Sequence, residues 1–254
     1  MGVEDISLGI ILVLFCVALL ASFVDVLVGG GGLLTIPALL FAGVPPISAL
    51  GTNKLQGIAG SGTASLRLLM QGHVKFKDVR WWMLASFFGS ALGTVLVQNI
   101  NPAVLNWLIP AVITMIAGYF LFAPKTSEVT HKRLSSRLYG ATIVPLIGFY
   151  DGMFGPATGS FFVMSGVSLR GFTVVAATMV AKTVNFASNF GGLIVFAWFG
   201  KVYWQLGLVM VTGSILGAFL GTKILLTINP NMLRYLIVVM SFIILVAWLY
   251  RELT

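Results

Sequence analysis

The sequence predicts an all-α, polytopic integral membrane protein built from two repeats. The chain has 254 residues, of which 58% are hydrophobic and 9% charged, and its mean hydropathy is +1.02. These values lie far outside those of soluble domains. Several runs approach the roughly 20 apolar residues that cross about 30 Å of hydrocarbon. They are residues 7–28, 81–97, 104–122, 203–226 and 232–249.

The first apolar run is expected to be a spanning helix rather than a signal peptide. It follows "MGVED", which has two acids and no base, and it is longer than a typical signal-peptide core. The longest polar stretch is 124–137, so no water-soluble module is expected. We interpret it as a cytoplasmic basic linker between a first transmembrane repeat, 1–123, and a second, 138–254.

Composition argues against several other classes of protein. The single cysteine, Cys16, excludes an internal disulfide, and no cysteine and histidine cluster has the spacing of metal ligands. We therefore expect no bound metal and no cofactor. The formal net charge is +8, but the basic residues lie in short loops between spans rather than in one patch. This distribution indicates loop orientation and predicts no nucleic-acid partner.

Each predicted repeat contains the same elements in the same order. A long helix ends near a glycine break and is followed by a short apolar piece (33–42 or 160–168), a long helix (47–70 or 172–199) and two ordinary spans. The short pieces are half-helices that reach about half-way through the bilayer. Matching residues support the repeat: Asp25 and Gly29 recur as Asp151 and Gly155, Lys54 recurs as Lys182, and Gly89 and Gly93 recur as Gly213 and Gly217.

The basic residues predict that the two repeats are inverted. If each repeat crosses the membrane an odd number of times, nearly all loop bases face one side, and only Lys201 and Arg251 oppose them. An even number of crossings would move Arg170, Lys223 and Arg234 away from the majority. The positive-inside rule favours the inverted arrangement, with the 71–80 and 123–137 loops in the cytoplasm.

The glycine breaks predict a binding site at the middle of the membrane. Unpaired backbone amides in lipid cost several kcal/mol each, so the breaks must face protein or a water-filled cavity. Half-helix N-termini direct their N–H groups and positive dipole ends into such a cavity, which suits an anion. The candidate residues are Gly30, Gly31, Gly32, Thr158 and Gly159. Glycines at small-xxx-small spacing, Gly89/Gly93 and Gly213/Gly217/Gly221, instead predict close helix packing.

Charged and amide side chains inside the apolar zone are the second set of candidates. Lys54 and Lys182 begin the third segment of each repeat, and an intramembrane ionisable residue is a functional hypothesis by default. Two interpretations stay open. The lysines contact an anion, or they pair with Asp151 and Asp25. These aspartates act as proton relays or, as we favour, cap the broken helix ends. The amides nearby are Asn53, Gln56, Asn185 and Asn189.

These motifs resemble a known family over essentially the whole chain. "VDVLVGGGGLLTIPALLFAGVPPISALGTNKLQG" resembles the first signature of the TauE/SafE sulfite exporter family, also called the toluenesulfonate uptake permease family. "GPATGSFF" with "LRGFTVVAATMVAKTVNFASN" resembles the second. The resemblance implies a secondary transporter of sulfite, sulfoacetate and other organosulfonates in an inner membrane. Pro156 and Ala157 depart from the family's glycine-rich second motif.

The combined prediction is an exporter of small anions that works by alternating access at the paired breaks. No G-x-x-x-x-G-K-[ST] motif is present, so an ion gradient or the substrate's own gradient must drive transport. The alternatives are an anion channel and a membrane-embedded enzyme that acts on a lipid-soluble substrate. The enzyme is disfavoured because the predicted spans hold no histidine. The expected partners are a small anionic substrate and the lipid bilayer, and a homodimer stays open.

Overall fold

The computed structural model describes residues 7–122 and 133–225, which form helices and turns without strands. The predicted all-α class is confirmed for these residues. The predicted last span, 232–249, lies outside them. The described helices are α1 (Leu8–Val28), α2 (Gly32–Phe41), α3 (Pro46–Met70), α4 (Phe76–Gln98), α5 (Pro102–Phe122), α6 (Ser136–Ala141), α7 (Ile143–Met153), α8 (Thr158–Arg170), α9 (Val174–Trp198) and α10 (Trp204–Ile224).

Several of these helices have the length and composition of membrane spans. Among the described residues, α1, α4, α9 and α10 are long and apolar enough to cross a membrane. α3 is long enough as well, with 25 residues, but it is not among these four because buried polar side chains such as Asn53 and Gln56 lower its hydropathy. A helix that is polar on its buried face needs a polar interior to face. The protein is therefore an integral membrane protein with a polar centre.

The two predicted half-helices are present as α2 and α8. α2 has 10 residues and is about 15 Å long, half the thickness of the hydrocarbon core. α8 has 13 residues and continues to Arg170, two residues beyond the predicted end at 168. Gly171, with a φ of 68°, ends it in the left-handed conformation common after helices.

The prediction of one long helix at the start of the proposed second repeat is wrong. This segment is divided into α6 and α7 at Thr142, whose φ is −123° and ψ −64°. Pro145 explains the division, because a proline ring clashes with the carbonyl four residues earlier and has no N–H to donate. That carbonyl belongs to Ala141, the last residue of α6.

Glycines pack two helix pairs closely, as their spacing predicts. α4 packs against α7, and α1 packs against α10. A Cβ atom at Gly93 would lie 2.0 Å from the carbonyl oxygen of Phe149, and one at Gly217 would lie 2.0 Å from that of Leu19. Neither position has room for a side chain, so the prediction of a packing role is confirmed.

α3 and α9 form the centre of the bundle. They pack against each other, while α10 covers α3, and α4 and α8 cover α9. Lys54 of α3 and Lys182 of α9 are among the largest fully buried side chains of the described residues. α2 and α8 begin beside these two helices. The fold therefore places both half-helix N-termini next to the buried polar faces of α3 and α9.

Candidate functional site

The two glycine breaks touch each other at the centre of the protein. Gly29 and Gly155 have φ values of 84° and 88°, in the left-handed region that favours glycine. The Ser160 N–H donates to the carbonyl oxygen of Gly29 at 3.2 Å, and the Ser160 hydroxyl donates to that of Val28. A Cβ atom at Gly29 would lie 2.2 Å from the Ser160 nitrogen. Position 29 therefore needs glycine both for its left-handed conformation and for the close approach of the two breaks.

Each break has an aspartate at the start of the half-helix that follows it. Asp25 Oδ1 accepts a hydrogen bond from the Gly31 N–H at 3.1 Å, and Asp151 Oδ1 accepts one from the Thr158 hydroxyl at 2.7 Å. The Asp25 carboxylate thus accepts from a backbone N–H, as a capping group does, whereas the Asp151 carboxylate accepts from the side chain of the first residue of α8. The aspartates thus hold the turns that precede α2 and α8.

Backbone donors are left open at both half-helix N-termini. Among the described residues, the Gly32 and Gly159 amides donate to no protein acceptor. Buried backbone N–H groups without a partner are rare in folded proteins. Together with the positive ends of the two helix dipoles, these amides make the space between the helices attractive to a negative charge.

A small cavity lies between the breaks. It leaves about 30 Å³ of room for the centres of water molecules, whereas one water needs about 10–15 Å³. The cavity therefore has room for about two water-sized groups. Its lining includes the predicted residues Gly31, Gly32, Asn53, Gln56, Thr158, Gly159, Asn185, Asn189, Asp25 and Asp151.

The cavity lining also differs from the predicted set. Gly30, Lys54 and Lys182 are absent from it. Sequence analysis missed the small residues that complete the wall, and the repeat of Gly29 as Gly155 was the available signal for two of them. The added residues are Ser22, Gly29, Gly57, Gly60, Ser61, Gly155 and Ala157.

The two lysines lie behind the wall and pair with its aspartates. Lys54 Nζ is 2.8 Å from Asp151 Oδ2, and Lys182 Nζ is 3.0 Å from Asp25 Oδ2 and also donates to the Asp25 carbonyl oxygen. Each pair joins a residue of 1–123 to one of 138–254. The lysine–aspartate pairing that the sequence left open is present in this structure. Contact between the lysines and an anion, which such pairing does not exclude, stays a prediction.

The two ion pairs differ in how completely they are satisfied. Lys182 makes hydrogen bonds to Asp25. Lys54 Nζ lies 2.8 Å from Asp151 Oδ2 and donates to no other described residue. A Cβ atom at Gly155, in the cavity wall, would lie 3.3 Å from this ammonium group. A positive group with free N–H donors thus sits directly behind the cavity.

Amide side chains of α3 and α9 form the polar walls. Asn53 Oδ1 accepts from the Gln56 amide at 2.9 Å, and Gln56 Oε1 accepts from the Ser214 hydroxyl at 2.7 Å. On α9, the Asn189 amide donates to the Asn185 carbonyl oxygen at 2.9 Å. The side-chain amide nitrogens of Asn53 and Asn185 donate to no described residue. These two N–H₂ groups are further donors available to a bound molecule.

Comparison with known proteins identifies the family. The chain matches the family described as sulfite exporter TauE/SafE over residues 14–248. The chain belongs to this family. It is 44% identical to a probable membrane transporter protein of Haemophilus influenzae, over 98% of each chain. It is 42% identical to the probable membrane transporter protein YfcA of Escherichia coli K12, over 94% of this chain and 89% of YfcA. No solved structure matches the chain significantly.

This TauE/SafE family member is accordingly a membrane transporter. A further relative, the probable membrane transporter protein ORF9 of a Sinorhizobium species, is 43% identical over 94% of this chain. The coverage of these relatives includes both glycine breaks, both lysines and both aspartates. The central cavity is therefore part of the segment that defines the family match.

Proposed function

We propose that this protein is a secondary transporter that exports small oxyanions, sulfite or an organosulfonate, across the inner membrane by alternating access. The observation that carries the proposal is the central cavity between the N-termini of α2 and α8, where the Gly32 and Gly159 amides have no acceptor within 7–122 and 133–225. Opposed half-helix N-termini at the midplane are the typical anion site of secondary transporters.

The charges around the cavity support an anion that binds reversibly. The lysine and aspartate pairs sum to zero, so a bound anion would add one uncompensated negative charge to the centre. The free donors of Lys54, Asn53 and Asn185 can balance that charge if they turn toward the cavity. Because both aspartates line the wall, the anion competes with two resident carboxylates for the same donors.

The size of the cavity supports a compact substrate. Room for about two water-sized groups suits the three oxygens of sulfite only after a slight expansion, and it excludes an organosulfonate with a carbon chain from this conformation. We therefore rank sulfite-like ions above larger sulfonates. In this proposal the structure corresponds to a closed state between the two open states of the cycle.

The contacts between the two halves support two equivalent repeats that move against each other. α1 of the first half packs on α10 of the second, and α4 packs on α7 in the corresponding way. The ion pairs follow the same symmetry, because exchanging the two halves converts Lys54–Asp151 into Lys182–Asp25. Inverted repeats with a site at their interface are the usual basis of alternating access.

The alternatives have weaker support from the described residues. A channel needs a continuous path, but the central cavity is small and its wall is mostly buried. For an enzyme on a lipid-soluble substrate, the relatives offer no support, since they are named membrane transporters. Each alternative predicts a different result from that of a transporter in a transport assay with the purified protein.

Reconstituted vesicles containing only this protein test the proposal. Sulfite-loaded proteoliposomes should release sulfite faster than protein-free vesicles, and excess sulfite outside should exchange with it. Asn185→Ala removes an open amide donor from the cavity and should raise the half-saturation concentration about tenfold. Asn99→Ala, at the exposed end of α4, is the matched control and should not change it.

Three results would contradict the proposal. Sulfite release equal to that of empty vesicles would exclude transport of this ion, and thermal stabilisation by sulfate, sulfoacetate, taurine or carboxylates would then identify another substrate. Unitary currents in planar bilayers would indicate a channel. Equal half-saturation values for Asn185→Ala and the unmodified protein would remove the cavity from the binding site.

A further inference from the structure

An apolar groove runs along the outside of the bundle, away from the central cavity. It has a volume of about 430 Å³ and lies between α4 and α9. Its lining is aromatic and aliphatic except for one basic residue, Arg80, near the start of α4. Phe186 and Phe190 stack with their ring centres 6.3 Å apart and form the α9 wall. The groove thus combines an apolar channel with a positive charge at one end.

The length of the groove corresponds to one leaflet of the bilayer. Its α4 wall extends from Phe76 to Phe88, thirteen residues of helix that rise about 18 Å. Half of the hydrocarbon core is about 15 Å thick. Because Phe76 is the first residue of α4, the groove begins at the membrane surface and ends near the midplane. These dimensions fit a lipid acyl chain whose headgroup lies beside Arg80.

The charge at the surface end selects the type of headgroup. Arg80 is exposed, and among the described residues it takes part in no salt bridge. Lys77 is exposed one helical turn earlier, three residues from Arg80 and therefore on the same side of α4. Trp81, with the Arg80 guanidinium 5.4 Å from its ring centre, is the kind of aromatic residue found at the membrane interface. Asp78 is also exposed between Lys77 and Arg80, so these three residues together carry a net charge of +1, which a phosphate with net negative charge would complement.

We propose that the groove between α4 and α9 is a binding site for an anionic phospholipid. The acyl chain lies along Leu84, Phe88 and Phe190, and the phosphate accepts hydrogen bonds from Arg80, with Lys77 adding a second positive charge. The lipid comes from the leaflet at the start of α4, which the sequence predicts to be cytoplasmic. This proposal does not depend on the identity of the transported anion, since the groove is separate from the central cavity.

Lipid binding to the purified full-length protein tests the proposal. The protein is titrated with phosphatidylglycerol or with phosphatidylcholine of the same acyl chains, and bound lipid is counted by native mass spectrometry. We expect one phosphatidylglycerol to be retained in preference to phosphatidylcholine. Arg80→Gln should weaken its binding about tenfold, since it removes a charge-assisted contact. The double variant Lys77→Gln with Arg80→Gln should weaken binding further.

Arg137→Gln is the matched control. Arg137 is exposed at the same membrane surface, since the Trp82 side chain of α4 donates to the carbonyl oxygen of the adjacent Ser136 at 3.2 Å. It does not line the groove, so its variant should bind phosphatidylglycerol as the unmodified protein does. Thermal unfolding without lipid shows that each variant is folded.

Specific results would overturn the proposal. Equal retention of the two lipids would show that the groove does not recognise an anionic headgroup. Equal weakening by Arg80→Gln and Arg137→Gln would reduce the effect to net surface charge. A dimer that Phe88→Ala and Phe190→Ala dissociate, with lipid retention unchanged, would assign the groove to a second copy of the chain.

Discussion

Replacing Gly29 with alanine should damage the protein far more than an alanine at a comparable exposed glycine. A left-handed conformation costs an alanine about 1–2 kcal/mol. The new Cβ atom would also lie 2.2 Å from the Ser160 nitrogen and 2.4 Å from the Gly159 carbonyl carbon, both backbone atoms that cannot rotate away. Overpacking of this kind adds about 1–3 kcal/mol. The expected total loss of stability is about 2–5 kcal/mol.

Gly72→Ala is the matched control for this prediction. Gly72 has a φ of 73°, close to the 84° of Gly29, but a Cβ atom there would have no other atom of the described residues within 4 Å. Gly72→Ala should therefore lower the stability only by the cost of the left-handed conformation, about 1–2 kcal/mol. The difference in stability between the two variants isolates the contribution of the contact between the two glycine breaks. At 1.4 kcal/mol per factor of ten, that contact corresponds to a roughly 5- to 150-fold change in the unfolding equilibrium.

Unfolding in mixed micelles, followed by circular dichroism, measures both variants under the same conditions. Sulfite release from proteoliposomes is measured on the folded fraction. Gly29→Ala should also impair transport, because the added methyl group pushes the start of α8 away from the break before α2. Equal stabilities for Gly29→Ala and Gly72→Ala, with normal transport by both, would refute the crossing of the two breaks.

The ion pairs and the strained residue of the second break give two further predictions. Lys54→Met should lose about 3–5 kcal/mol because Asp151 stays buried without its partner, and adding Asp151→Leu should restore folding but not sulfite release. Recovery of transport by the double variant would contradict a role for Lys54 beyond neutralising Asp151. Ala157→Gly should raise the melting temperature, since Ala157 has a φ of 59°, whereas Gly155→Ala should lower it. An unchanged melting temperature for Ala157→Gly would argue against strain there.

Most of the helices and the positions of the breaks could be predicted from the sequence, because each follows from local properties of the chain. Apolar length predicts α1, α4 and α10, and glycine runs predict where α2 and α8 begin. The division between α6 and α7 also had a local signal, Pro145, that the repeat-based reading of one long helix overlooked.

Side-chain direction was not predictable in the same way. Sequence position places Lys54 on α3 and Lys182 on α9, but a lysine side chain has four rotatable bonds and can reach several partners. Only the packing of α3 against α9 decides that the ammonium groups lie behind the cavity wall. The groove between α4 and α9 also depends on which helices become neighbours, and no local pattern encodes that.

The placement of aspartates in front of lysines has a consequence for the proposed transport cycle. A cavity lined by two unpaired, desolvated lysines would bind an anion tightly and release it slowly. Here each lysine already has a carboxylate, and 19% of the Asp25 side chain is exposed. In the proposed cycle the resident carboxylates would lower the net attraction, while the Gly32 and Gly159 amides, which have no acceptor among the described residues, would still orient the anion. Rapid turnover requires binding that is favourable on entry and weak enough for release, and this arrangement meets both requirements.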